Sequence, residues 1–449
     1  MKNSCIKIVL CFLSMHVGVV SMAQDNTSSQ DPWNLDKCIQ HAIQNNSAIQ
    51  RQKLNSDIAS NNLKTNKLSQ LPSLSGGLGN TTSWGRSSTN SGLIVSNNSN
   101  RTDFNISANV NIFQGFALKN QIEASKHELE YNNSLTEVNV ANLEIQVAQA
   151  YLNILVAKEL FELSKEQTEI TNKQIQVTRE KVNGGLLDKG PLLELNAQLA
   201  NNKAEEVNNQ NNLTLRKLEL AQLLELENPE TLDIVTPPMA LIHSENKLNN
   251  IDNYYQTALN LRPEINAANA RIRQSSSNVK AAKGRLYPKL SASAGYSNGY
   301  YYFKNEENKS FSDQMNMNGQ ENVRLNLSIP IFNGSSARNS YKNAKLQAQQ
   351  SKLDLVQAEK DLRKTVTNAL TQARGAHQKF NASSIQVSSS KESFDFANEK
   401  FNAGAIDIYD YNQAKNSYIR AKSQKIQAKY EFIFKSKMLD FYTGTEISL

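Results

Sequence analysis

Cysteine is nearly absent from these 449 residues: Cys5 and Cys11 fall in the first 23, and Cys38 stands alone after them. No disulfide can form within the chain that follows residue 23, so its stability must come from packing. Beyond that point no run of 18 apolar residues occurs, which excludes helical membrane spans but not a β-barrel, whose strands need only alternate over about 10 residues. Prolines number 9 and aromatics make up 7% of the chain. HExxH, GxSxG, the P-loop and paired cysteine ligands are all missing, and the five histidines are isolated in sequence. These absences argue against an enzyme, a metal site and a cofactor. The net charge of +7 is spread among Glu and Asp with no basic block or aromatic interleaving, the pattern of a solvated helical surface rather than a nucleic-acid footprint.

The chain opens with MKNSCIKIVLCFLSMHVGVVSMA, a basic head, an apolar stretch and a small-x-small site at Ser21 and Ala23. This reads as a secretory signal peptide over 1–23, too short in its apolar part to span a membrane comfortably. The residue immediately after the cleavage site is Gln24 and not a cysteine, so a lipid anchor there is not indicated.

What the remainder does contain is a duplication. Ala42 corresponds to Ala258, and Leu71-Pro72 to Tyr287-Pro288, at a shift of 216. NIFQG from Asn111 corresponds to PIFNG from Pro330, and KVNGG from Lys181 to KFNAG from Lys400, at a shift of 219. Two repeats are therefore expected, 24–249 and 250–449, interleaved in one subunit. Each has a helix (Asn34 to Gln70; Tyr254 to Arg285), a strand pair, a long helix, a glycine turn and a return helix. Strands are expected at about 73–82 and 103–113, then at about 289–302 and 321–332, with turns at about 182–191 and 401–410.

Between Asp103 and Phe113 the even positions Phe104, Ile106, Ala108, Val110 and Ile112 are apolar, and the odd positions up to Asn111 are polar. In ENVRLNLSIPIF the odd positions from Val323 to Ile331 are apolar. Period two with one apolar face marks a half-buried strand, which a soluble sandwich would share. If these strands span a membrane, four cannot close a barrel and an open edge cannot sit in lipid, so several chains must pool them. Three chains would give twelve. Tyr300 to Phe303 would then suit an interfacial belt, with residues 83–101 and 304–322 as external loops.

Gly115 to Gly185 and Gly334 to Gly404 are each 70 residues apart, about 105 Å of helix. No single globular core buries such a rod. Leu346, Leu353, Val356, Leu362, Val366, Leu370, Ala373 and Phe380 follow a coiled-coil rhythm, a narrow seam suited to helices packed side by side. A soluble coiled-coil scaffold would explain the rods but not the strands.

The duplicated layout, LRPEINAANARI at Leu261 to Ile272, QLPSLSGGLG at Gln70 to Gly79, LYPKLSASAG at Leu286 to Gly295, PIFNG and KFNAGAIDIYDYNQA at Lys400 to Ala414 together resemble the TolC-like outer membrane efflux protein family over essentially the whole chain. The resemblance implies a mostly α fold with β: a homotrimeric channel in the outer membrane. Its 12-stranded transmembrane β-barrel, four strands per chain, is continuous with a long periplasmic α-helical barrel. It also implies an equatorial belt, supplied here by Leu232 to Pro237 with both terminal segments, and helix–strand joints at Pro72, Pro288 and Pro330. At the periplasmic tip it implies contact with a membrane-fusion adaptor, which links the channel to an inner-membrane pump of RND, ABC or MFS type.

In that family acidic side chains after the glycine turn narrow the entrance. Gly404 and Asp410 match the family's glycine and first gate aspartate, Gln413 stands where a second aspartate often lies, and Asp407 adds charge nearby. In the first repeat Gly185 matches the turn glycine. Aligning Asn196 with Asn412 sets Glu194 opposite Asp410, and Asp188 is its neighbour. Asp410 also suits a plain helix-start acid favoured by the helix dipole. A passive exit duct is the function so implied, against a stand-alone porin or a periplasmic scaffold.

Overall fold

The computed structural model describes residues 32–88, 91–92, 94–96, 98–229, 232–236, 251–304, 306–445 and 447–448. The leader read at 1–23, the repeat boundary at 249–250 and Pro237 of the belt lie outside them.

Each repeat starts with a pair of helices rather than the single one expected. Helix α1 (Leu35–Asn45) stops at Asn46, whose backbone turns extended and whose side chain accepts from the Ala48 N–H at 3.0 Å, starting α2 (Ser47–Leu68). An asparagine competes with the helix for its own backbone donors, so the break is local chemistry. The second repeat breaks 216 positions later, at Arg262. Pro263 opens α6 (Pro263–Gly284) and forces Arg262 extended, which ends α5 (Ile251–Leu261).

Pro72 and Pro288 each stand immediately before a strand, β1 (Ser73–Ser83) and β5 (Lys289–Phe303). Strand β4 (Ser99–Gln114) is longer than expected, and a short hairpin of β2 (Arg86–Ser88) and β3 (Ile94–Ser96) joins β1 to it. The last strand, β6 (Gln320–Ser328), is shorter than expected. It leaves the sheet before Pro330, which has no N–H to give to a ladder.

The main sheet is antiparallel in the order β1-β4-β5-β6. Register aligns the alternation across it: Leu74 faces Ala108, Ala108 faces Ala294, and Ala294 faces Val323. Apolar side chains so collect on one face, and no described residue covers them. Val323 is 83% and Leu74 75% exposed. The other face carries Ser75, Ser107, Asn322 and the Arg101–Asp103 ion pair at 2.7 Å. Beyond Ser297 strand β5 has no β6 partner, and a short helix, α7 (Phe311–Met317), lies against it instead.

Two helices of 67 residues follow the two strand pairs, α3 (Ala117–Asn183) and α8 (Ser336–Asn402), about 100 Å each. Both start from a joint in which two successive residues hold positive φ: Gly115 and Phe116 (58°, 62°), then Gly334 and Ser335 (61°, 63°). Return helices α4 (Gly190–Leu223) and α9 (Ile408–Tyr442) are about half as long. Each rod is thus lined by two shorter segments end to end. The sheet-side half of α3 packs on α2 and α6, its far half on α4, and α8 packs on α6 and α9.

The main core lies midway along the rods. There Leu35, Cys38, Leu152, Leu155, Ile433 and Phe441 pack together with Leu232, Ile234 and Ile447. Trp33 forms a parallel bridge with Ile234, and the Tyr151 hydroxyl donates to the Trp33 carbonyl at 3.2 Å. The start of the described chain, the Leu232–Thr236 segment and the end of the chain therefore meet on α3. Burial among these residues pushes the Cys38 thiol up to about 12.

Candidate functional site

The ends of α3 and α8 opposite the sheet are closed by one hydrogen-bond motif used twice. Leu186 N–H donates to Lys181 O at 2.8 Å and Gly185 N–H to Val182 O at 3.1 Å; 219 positions on, Ala405 donates to Lys400 O at 2.8 Å and Gly404 to Phe401 O at 3.1 Å. This 6→1 and 5→2 pair requires a left-handed residue, and Gly185 and Gly404 both have φ of 75°. The two turns are tied together, because Lys181 Nζ donates to the Asn402 carbonyl at 3.0 Å.

Beneath the turns Ile175, Leu195, Phe401, Ile408 and Tyr411 form a small separate core. It anchors the start of α9, whose first turn carries the sequence-read acids. Asp407 is the N-cap of α9 and accepts from Asp410 N–H at 2.9 Å. That occupies one carboxylate oxygen of Asp407, while the Asp410 and Gln413 side chains are exposed. In the other turn Asp188 accepts from the Gly190 N–H at 2.9 Å. Glu194 accepts from Asn412 Nδ2 at 3.3 Å, so it lies beside the residue two after Asp410, across from α9. The structure thus brings Asp407, Asp410, Gln413 and Glu194 to one end of the bundle, with Gly185, Asp188 and Gly404 at its turns. Pro72, Pro288 and Pro330 sit at the sheet end, about 100 Å of helix away.

Two features here were missed in the sequence. Lys415 is 1% exposed, and its ammonium donates to Thr171 Oγ1 at 2.9 Å on α3. Burial pulls its pKa down to about 8. Thr171 also accepts from Asn202 of α4 at 2.8 Å, so one hydroxyl joins three helices. Among the described residues the Asn412 Oδ1, Gln174 Nε2 and Thr178 Oγ1 atoms are buried without hydrogen-bond partners, an unusually polar interior for a helix bundle. Among the many solvated lysines of the chain, no sequence signal sets Lys415 apart.

At the midpoint, the end of α4 abuts the start of α2. Asn46 Nδ2 donates to the Leu223 carbonyl at 3.3 Å, and Glu225 accepts from the Ser47 N–H at 3.1 Å. In the second repeat Arg262 plays the corresponding part, with its guanidinium over the Phe441 and Tyr442 rings and on Glu264 at 2.8 Å.

A bare-faced antiparallel sheet joined through left-handed hinges to two equal rods defines a protein with one membrane-embedded end and one long aqueous arm. The chain belongs to the outer membrane efflux protein family, whose model matches residues 38–225 and 254–445. That is a family of outer-membrane transport proteins, not of enzymes, and it places the chain in the outer membrane and periplasm.

Outer membrane protein TolC of Salmonella enteritidis is 25% identical over 273 residues, 59% of this chain and 53% of that protein. The chain thus matches about half the length of this curated relative. Among solved structures, the Campylobacter jejuni CmeC outer membrane channel superposes with a TM-score of 0.79 at 17% identity, covering 100% of this chain and 95% of that one. A Pseudomonas aeruginosa membrane protein gives 0.78 at 15% identity, covering 91% and 90%. At such identities these two comparisons establish the fold.

Proposed function

We propose that three copies of this chain form an exit duct across the outer membrane and periplasm, serving a tripartite efflux or type I secretion system. One observation carries the reading: the apolar face of the sheet is bare, and β1 and β6 are exposed along their whole lengths at its two edges. In lipid each free edge must find a partner, and β1 of one copy pairing with β6 of the next closes twelve strands. The helices support the same ring. Helix α6 is flanked by both α3 and α8, whereas α2 has α3 on one side only. Leu54 and Ile58 of α2 are 61% and 57% exposed, as are Leu346 and Leu353 of α8 at 62% and 69%. Seating α2 of one copy on α8 of the next repeats the contacts of α6 and covers all four.

In this reading Asp410 and Gln413, with Asp407 behind them, line a threefold constriction at the periplasmic tip. A ring of three aspartates repels anions and attracts cations. Gly185, Asp188, Glu194 and Gly404 form the surface offered to a membrane-fusion adaptor, and an inner-membrane pump of RND, ABC or MFS type supplies the energy. Pro72, Pro288 and Pro330 fix where strand gives way to helix.

The test is detergent extraction, size measurement and single-channel conductance of wild type against Asp410→Ala at several cation concentrations. A trimer with a small cation-preferring conductance that grows or loses its preference in the variant supports the gated duct. A large pore indifferent to Asp410 removes the gate, and a protein that needs no detergent removes the duct.

A further inference from the structure

The two strand-to-helix joints share a backbone but not their surroundings. In the first, Gly115 is pressed against α6: a Cβ there would lie 2.3 Å from Gly284 O and 2.7 Å from Tyr287 Cβ. Phe113 and Phe116 then close the joint with an edge-to-face pair, centroids 5.3 Å apart. In the second repeat Phe332 stands at the position of Phe113, but Ser335 stands at the position of Phe116 and Ala337 at that of Leu118. The ring that would fill the joint is missing, and a cavity of about 220 Å³ opens there.

The cavity has the chemistry of an amphiphilic anion site. Arg285, from the end of α6, and Arg338, from the first turn of α8, both line it, and neither guanidinium has a partner among the described residues. The start of α8 has no side-chain cap, so its open N–H groups add positive potential. Ile331 and Phe332 form the rim and are 93% and 84% exposed. They lie just past the end of β6, after Ile329 and Pro330, and the apolar face of that strand carries Val323, Leu325 and Leu327. Assembly does not hide this rim. The first joint already has α6 beside it, as the second would have α2 of the next copy, and its Ile112 and Phe113 remain 54% and 39% exposed.

We propose that this cavity binds the phosphate of a phospholipid from the periplasmic leaflet, with Arg285 and Arg338 on the phosphate and an acyl chain along Ile331 and Phe332. The assignment rests on the outer-membrane reading above. Guanidinium groups suit phosphate because they offer paired donors in a fixed fork. A lipid, rather than free phosphate, follows from the exposed apolar rim at the end of a lipid-facing strand.

Native mass spectrometry of the detergent-purified protein, supplied with dioleoyl-phosphatidylglycerol, tests this. Wild type should retain one lipid per chain. Arg285→Gln/Arg338→Gln should weaken retention by about tenfold per guanidinium removed. Ser335→Phe should abolish it by filling the cavity, and this variant is sterically admissible because Phe116 holds the same left-handed backbone in the first joint. Inorganic phosphate at matched concentration should not displace the lipid; displacement would make this a free-anion site and overturn the assignment. Equal retention by intact oligomers of all three proteins would also overturn it, whereas failure of wild type to form a detergent-extracted oligomer would sink the channel reading instead.

Discussion

Glu225 and Ser47 lie 178 positions apart, yet the Glu225 carboxylate accepts from the Ser47 N–H at 3.1 Å across the seam between α4 and α2. Glu225 holds a left-handed backbone, φ 56°, where Gly444 stands 219 positions later with φ 89°. A non-glycine residue there costs about 1–2 kcal/mol. The compensation is that its carboxylate caps the start of α2, which lowers its pKa, the hydrogen bonds from Ser47 being the main cause. A carboxylate whose folded pKa is depressed stabilises above its unfolded value of about 4.3 and loses that contribution as pH falls through the folded one. Glu225→Gln is therefore expected to lower Tm at pH 7, with the deficit vanishing in strong acid. A thermal scan of both proteins across pH checks it.

Lys415 gives a titration of opposite sense. Its folded pKa of about 8 lies below the unfolded value, about 10.4. Between the two the unfolded chain binds more protons, so stability rises as pH climbs through that window, and the cost is fully present below it. Lys415→Met should stabilise the tip by about 1–3 kcal/mol at pH 7, with the gain shrinking as pH rises from about 8 towards about 10.4. Thr171 is not orphaned by the change, since its hydroxyl still accepts from Asn202 and donates to Gln167 O. Hydrogen exchange at the start of α9, followed against pH, reads the effect locally.

Gly115 and Gly185 separate backbone strain from crowding. Both have positive φ, but a Cβ at Gly185 meets nothing within 4 Å while one at Gly115 strikes the Gly284 backbone. Gly185→Ala should cost about 1 kcal/mol. Gly115→Ala should cost more than about 3 kcal/mol, because neither backbone can yield. Denaturation of the two purified variants in one detergent ranks them.

The outer end of β5 is held by amide side chains standing in for a strand. Gln314 accepts from Tyr301 N–H at 2.8 Å and donates to Tyr301 O at 2.9 Å. Asn308 pairs with both backbone groups of Phe303 at 2.7 Å, and Asn318 donates to Gly299 O at 2.7 Å. Replacing Gln314 by Leu removes its two bonds with Tyr301, the one it donates to Lys309 O and the one it accepts from Asn318 Nδ2, each worth about 1 kcal/mol. Faster cleavage within 304–319 by added protease, with the rest of the chain unaffected, is the expected result.

Much of this was legible in the chain because it is written in local chemistry. Period-two alternation gave the strands at 103–113 and 321–332, prolines gave the joints, and the glycines at 185 and 404 gave the turns. The misreadings had equally local causes. Asn46 caps a new helix in place of continuing one, Pro263 splits what looked like a single helix, and Pro330 ends β6 early. Lys415, Glu225 and the Arg285–Arg338 cavity were invisible, since each depends on which surface a common polar residue is pressed against by elements far away in sequence.

By itself the sequence determined the two equal rods, the alternating strands and the turns that reverse the chain, because φ/ψ preferences and hydrophobic periodicity act over a few residues. Tertiary structure alone decided the seams: which helix ends abut, which lysine loses its water and which of two equivalent joints is left open. Those outcomes follow from packing between segments some 200 residues apart, where a single change such as Phe116 to its counterpart Ser335 alters the space available without altering the local fold.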